Sequence, residues 1–155
     1  MGRRKKKLDR GLKPDTKYKS AIVTRFINYI MKKGKKSVAK RVVYECMEAI
    51  KEKTKKEPLE IFEGAINKVA PILEVKSKRI GGATYQVPME VRGDRRIQLA
   101  FRWLIIASKA RKGKPMGLKL AEEILDITNG TGSAMKKRDD VQKMAEANRA
   151  FAHFA

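Results

Sequence analysis

The apolar residues recur at helical spacing through most of the chain, with one short stretch of a different period. After Ser20, placed to act as an N-cap, Ile22, Val23, Phe26, Ile27, Ile30 and Met31 form a single helical stripe. A basic loop, Lys32-Lys33-Gly34-Lys35-Lys36, closes it. With Ser37 as its cap, a second helix would bury Val38, Ala39, Val42, Val43, Cys46, Met47 and Ile50, and turn Lys40, Arg41, Glu45 and Glu48 outward. Pro58 stands where helices favour proline and opens a third, carrying Leu59, Phe62, Ala65, Ile66 and Val69 before Pro71 ends it.

From Leu73 the period changes. Leu73 and Val75, then Gly81-Gly82, then Tyr85, Val87, Met89 and Val91 at alternate positions predict a β-hairpin with a glycine turn. Pro88 confines its strand to an edge, which suits a two-stranded ribbon. Helical spacing resumes near Asp94, with Leu99, Ala100, Trp103, Leu104, Ile106 and Ala107 inside and Arg95, Arg102 and Lys109 seven residues apart on another face. Pro115 starts a fifth helix through Leu118, Ala121, Ile124 and Leu125 that ends near Asn129-Gly130. A sixth runs from Ser133 to Asn148 on a thin stripe of Met135, Val141, Met144 and Ala145, which predicts packing at an edge. The predicted fold is mainly α: one helical bundle of about six helices with a protruding two-stranded β-hairpin. Residues 1–19 hold nine Lys or Arg, lack apolar periodicity and read as a basic arm; 20–148 form the domain, with the hairpin at 73–91, and 149–155 a tail.

Charge changes this picture. The net formal charge is +21, yet hydrophobic residues make up 42% of the chain, so the excess decorates a sequence able to fold. The partners able to neutralise it are nucleic acid, an anionic membrane or an acidic protein. Every apolar run is short and broken by charge, so none predicts a membrane span. No secretory signal precedes the first charges, so the chain is expected in the cytoplasm and Asn129-Gly130-Thr131 reads as a turn rather than a glycosylation site.

The cations gather in the arm, in Lys32 to Arg41, along the hairpin and its base (Lys76, Lys78, Arg79, Arg92, Arg95, Arg96), in Lys109 to Lys119 and at Lys136-Lys137-Arg138. The acids gather at Glu45, Glu48, Glu122, Glu123 and Asp126. Segregation of sign by face suits a polyanion-binding surface. On charge, Lys6, Lys7, Arg92, Arg96, Lys109, Arg111 and Lys114 join the candidate contacts. Charge alone leaves DNA and RNA level. In the hairpin, Tyr85 either stacks on a base or packs on the protein.

Catalysis finds no support. Cys46 is a lone cysteine on an apolar helix face, His153 stands two residues from the end, and the adjacent carboxylates Asp139 and Asp140 diverge on a helix. Neither Gly81-Gly82-Ala83-Thr84 nor Gly130-Thr131-Gly132-Ser133 completes a nucleotide-binding fingerprint. No enzyme activity, cofactor, metal or small-molecule substrate is expected.

The stretch Glu74-Val75-Lys76-Ser77-Lys78-Arg79-Ile80-Gly81-Gly82-Ala83-Thr84-Tyr85-Gln86-Val87-Pro88-Met89-Glu90-Val91-Arg92 resembles the signature of the seventh small-subunit ribosomal protein family, bacterial type. The resemblance continues through Arg95-Arg96, Ala100-Phe101-Arg102-Trp103, Lys136-Lys137-Arg138-Asp139-Asp140-Val141 and Met144 to His153. Gly93 departs from it, since the family commonly has proline there. The resemblance implies a structural constituent of the 30S subunit, a primary binder of the 3′ major domain of 16S rRNA that nucleates head assembly. It would lie near exit-site tRNA and the mRNA path, beside the ninth and eleventh small-subunit proteins. The family's rRNA surface maps onto Arg3, Arg4, Lys5, Arg10, Lys35, Lys36, Lys76 and the Arg95 to Arg102 face. Its tRNA side maps onto Lys78, Arg79, Gly81, Gly82, Thr84, Tyr85, Lys136, Lys137 and Arg138.

Overall fold

The computed structural model describes residues 11–154. Within them lie α1 (Ala21–Ile30), α2 (Lys36–Thr54), α3 (Pro58–Val69), β1 (Leu73–Ile80), β2 (Ala83–Glu90), α4 (Gly93–Ala110), α5 (Met116–Thr128), α6 (Ser133–Ala147) and a short 3-10 helix, Arg149–Phe154. The expected mainly helical fold with one antiparallel hairpin is the fold observed. Element ends follow local chemistry. Ser20 takes the N-cap position of α1, although its hydroxyl makes no cap bond, and its carbonyl accepts the Thr24 amide instead. Pro58 occupies the first turn of α3, where a missing N–H costs nothing. α2 begins at Lys36 rather than after Ser37, because Gly34 at φ 73° already turns the chain into the helix.

The core is organised around α5, which packs against α2, α3, α4 and α6. Leu120, Ala121, Ile124 and Ile127 are fully enclosed there. Beside them Phe26 sits between Phe62 and Phe101, with ring centroids 5.0 and 5.1 Å away in tilted arrangements favoured by the ring quadrupoles. Cys46 lies within this core, and burial pushes its thiol well above the ordinary thiol range, which makes it inert.

Val38, Ile106 and Met144, expected inside, are exposed. On α4 the buried arc is centred on Leu104 and takes in Phe101 and Ile105, whereas Ile106 is 64% exposed. Ile106 follows Leu104 by about 200° around the helix, so one face cannot hold both. On α6, Ala134 and Ala145 are buried but Met144 is exposed, so small residues rather than long ones bring that helix in.

The hairpin pairs Leu73 with Glu90 through to Ile80 with Ala83. Gly81 and Gly82 take φ of 56° and 88°, the left-handed pair that a two-residue turn of this twist needs. Both segments expected to hang free are docked where described. The residues expected as a C-terminal tail form the 3-10 helix and pack on β2, with Tyr85 5.2 Å from Phe151 and 5.6 Å from Phe154. Asp15 to Lys19, expected within the arm, close a turn against α2. Residues 1–10 lie outside the described residues, so Arg3, Arg4, Lys5, Lys6, Lys7 and Arg10 keep only their sequence reading.

Ile105→Ala is expected to lower the unfolding free energy by about 2 kcal/mol or more. Ile106→Ala should change it by less than about 0.5 kcal/mol. Urea denaturation of the two variants side by side tests this arrangement of α4.

Candidate nucleic-acid interface

Along one side of the bundle, α1, the start of α2 and α4 leave a concavity. One part, of about 360 Å³, has Ile30, Val38, Val42 and Ile105 as its floor and Lys32, Lys35 and Lys109 at its edge. An adjoining hollow of about 460 Å³ shares Ile105 and Lys109 and adds Asn28, Tyr29, Arg102 and Ile106. The exposed Val38 and Ile106 belong to this surface. Among the described residues, no carboxylate lies within salt-bridge distance of Lys32, Lys35, Arg102 or Lys109. Lys35, Arg102 and Lys109 were expected contacts. Lys32 was not singled out, since only the turn at Gly34 brings it beside Lys35.

Other expected cations are engaged by the protein. Arg111 donates to Glu123 at 2.9 Å from Nε and 2.6 Å from Nη2, also reaches Asp126, and lies 3.8 Å from Glu122. Glu123 is fully buried, and its other oxygen accepts the Ala134 amide at 2.9 Å, so this cluster ties the α4–α5 loop to the start of α6. Burial works against the Arg111 charge, but the carboxylates outweigh it and hold the guanidinium above its ordinary value. Lys114 pairs with Glu122. Arg111 is thereby placed in the framework rather than on an open surface.

At the hairpin base, Glu74 draws in Lys76 at 3.0 Å and Arg95 at 3.2 Å. Burial would raise the Glu74 carboxyl, yet these two cations hold it below the usual carboxylate range. Of the helical row Arg95, Arg102 and Lys109, the first is therefore shared with a carboxylate, and the other two pair with none among the described residues. Arg92 and Lys36 are exposed.

A further cleft of about 340 Å³ brings Arg96 and Arg138 together with Lys68, Asn67 and Gln142. Arg96 donates to the Pro71 carbonyl at 3.0 Å, while Arg138 donates to Asp139 and to the Lys68 carbonyl. The resemblance had put Arg138 on the tRNA side, and charge had put Arg96 among the other contacts. The structure makes them neighbours.

On the hairpin, Arg79, Gly81, Gly82 and Thr84 are exposed, as are Lys136 and Lys137 on α6. Lys78 instead donates to the Phe154 carbonyl at 2.6 Å. Of the two roles left open for Tyr85, packing on the protein is the one seen, against Phe151 and Phe154. His153 has Nδ1 2.8 Å from the Ala150 carbonyl, away from any nucleophile. Among the described residues, no three His, Cys, Asp or Glu side chains are placed to hold a metal ion, and no helix is long and apolar enough to cross a membrane.

The pattern of the ribosomal protein S7p/S5e family matches residues 2–149 of the chain. The chain belongs to this family. The small ribosomal subunit protein uS7 of Clostridium acetobutylicum is 57% identical over 145 residues, covering 94% of this chain and 93% of that protein. The uS7 protein of Chloroflexus aggregans is 54% identical over 145 residues, with 94% and 92% covered. That of Desulfatibacillum aliphaticivorans is 50% identical over 154 residues, with 99% of both chains covered. In this S7p/S5e member the two sets of cations differ in kind: those at the concavity lack acidic partners among the described residues, whereas Arg111 is held by the buried Glu123 and Arg95 is shared with Glu74. Gly93, the departure from the family pattern, opens α4, and a side chain there would meet open space.

Arg111→Ala is expected to cost about 3 kcal/mol of stability, because it strands the buried Glu123 carboxylate. Arg102→Ala should change stability by less than about 0.5 kcal/mol. Thermal and urea unfolding of both variants separate the structural cation from the surface one.

Proposed function

We propose that the chain is a primary binder of the 3′ major domain of 16S rRNA that nucleates assembly of the small-subunit head. In this reading it lies near exit-site tRNA and the mRNA path, beside the ninth and eleventh proteins of the same subunit. Family membership makes it a structural constituent of the small ribosomal subunit that binds 16S rRNA in the cytoplasm, and not an enzyme. The observation that carries the finer reading is the concavity between α1, α2 and α4, where Lys32, Lys35, Arg102 and Lys109 surround an apolar floor. Cations without acidic partners can each neutralise a phosphate and release a counterion. The exposed Val38 and Ile106 offer apolar contact to sugars and bases, which sequence-independent charge does not. The exposed hairpin tip and the cations of α6 lie on other elements and support a second, tRNA-facing side.

At about 0.2 M salt the purified protein is expected to prefer 3′-domain RNA over an unrelated RNA of equal length by at least about a thousandfold, since bulk charge alone binds weakly there. Equal affinity for both would overturn the reading. Arg102→Gln with Lys109→Gln should weaken that binding and flatten the log Kd against log salt plot by about 1.5 units. Arg79→Gln with Lys137→Gln should spare rRNA binding and weaken tRNA retention by assembled subunits. If both pairs disturbed both steps equally, the division into two sides would fall.

A further inference from the structure

Asp15 lies in a segment with no apolar periodicity, ahead of the first helix, yet it is only 7% exposed. Its Oδ2 accepts the Tyr44 hydroxyl at 2.8 Å and the amides of Lys17 and Tyr18 at 2.9 and 3.2 Å, and its Oδ1 lies 3.7 Å from Lys40 Nζ. Around it the backbone closes on itself, with the Lys19 amide donating to the Asp15 carbonyl at 2.9 Å and the Asp15 amide to the Ser20 carbonyl at 3.2 Å.

Further contacts bolt this turn to α2. Lys40 Nζ donates to the Thr16 hydroxyl at 2.8 Å, Lys17 pairs with Glu48 at 2.6 Å, and the Tyr18 and Tyr44 rings meet edge to face at 5.7 Å. Lys19 is held at φ 50°, a left-handed conformation that a non-glycine residue keeps only where its surroundings over-determine it.

A buried carboxylate is unfavourable unless every lone pair finds a partner. This one is amply supplied, and Tyr18 of the same turn packs against the apolar cluster that closes the bundle, so the turn is fixed to the body. The turn's position suggests its use, because Arg3, Arg4, Lys5, Lys6, Lys7 and Arg10 all lie directly upstream.

We infer that Asp15 is a positioning residue for RNA binding: clasped by Tyr44 and Lys40 of α2, it fixes the point on the body from which the basic N-terminal segment departs. This rests on the RNA-binding reading above. A segment tethered at a set point loses less freedom when it engages phosphate than one attached through a floppy stretch, so the same charges bind more tightly.

The test is a four-way comparison in the full-length chain. Asp15→Ala is made in the native background and in one where the six upstream cations are replaced by Gln, and Kd for 3′-domain RNA is measured for each. In the native background Asp15→Ala should weaken binding about tenfold, and in the neutral background less than about twofold. Asp15→Asn, which keeps acceptors for the Tyr44 hydroxyl and the two amides, should recover most of the loss. If Asp15→Ala lowers the melting temperature, Tyr44→Phe, which removes one hydroxyl, replaces it in the same comparison. An equal loss in both backgrounds, or none in the native one, would overturn the inference. So would neutralised upstream cations that leave Kd unchanged while preference for 3′-domain RNA persists. Loss of that preference in the unaltered protein would instead sink the RNA-binding reading itself.

Discussion

A chain with 38 basic and 17 acidic residues repels itself when it folds, at the joints between its elements as elsewhere. Several of its scarce carboxylates stand at those joints. Glu123 and Asp126 gather Arg111 where α4, α5 and α6 meet. Glu74 gathers Lys76 and Arg95 where the hairpin leaves the body, and Asp94 at the head of α4 takes Arg25 from α1 at 2.8 Å. Asp15 and Glu48 do the same for the turn that precedes α1. The apolar core around α5 supplies the cohesion, and these pairs decide which cations become framework.

That allocation shapes the surface proposed to bind RNA. A cation paired inside the protein offers little to a phosphate, since its donors and field are already met. Around the α1–α2–α4 concavity none of Lys32, Lys35, Arg102 and Lys109 has an acid within pairing distance among the described residues, and apolar side chains form the floor. In the proposed reading, RNA would meet both uncompensated charge and apolar contact there. Rigidity adds to this, because Arg102 and Lys109 stand on α4 and Lys35 at the N-cap of α2, helices held by the same core.

The hairpin illustrates a second use of packing. A two-stranded ribbon is marginal by itself, and this one is braced by α6 and by the rings of Phe151 and Phe154 against Tyr85. Lys78 adds a bond to the last turn of the chain at Phe154. The tip, with Arg79, Thr84 and the two glycines, stays open while the shaft is held.

Much of this was legible in the order of residues. Helical and alternating periods, proline at helix starts and paired glycines at the turn are local signals, and they placed the six helices, the hairpin and the family motif. The charge row Arg95, Arg102, Lys109 needed only the helical repeat. Local spacing could not decide which of several apolar residues faces inward, so Ile106 and Met144 were expected inside and Phe101 and Ile105 were missed. Nor could it decide which cations are matched by acids distant in sequence, such as Arg95 with Glu74 or Lys17 with Glu48. The sequence by itself determined the elements, their order and the sign of the surface, because these depend on neighbours within a few turns. Only the tertiary structure decided which of the described charges are paired and where the Asp15 turn and the Arg149–Phe154 helix dock, because ion pairing and burial depend on groups that folding alone brings together.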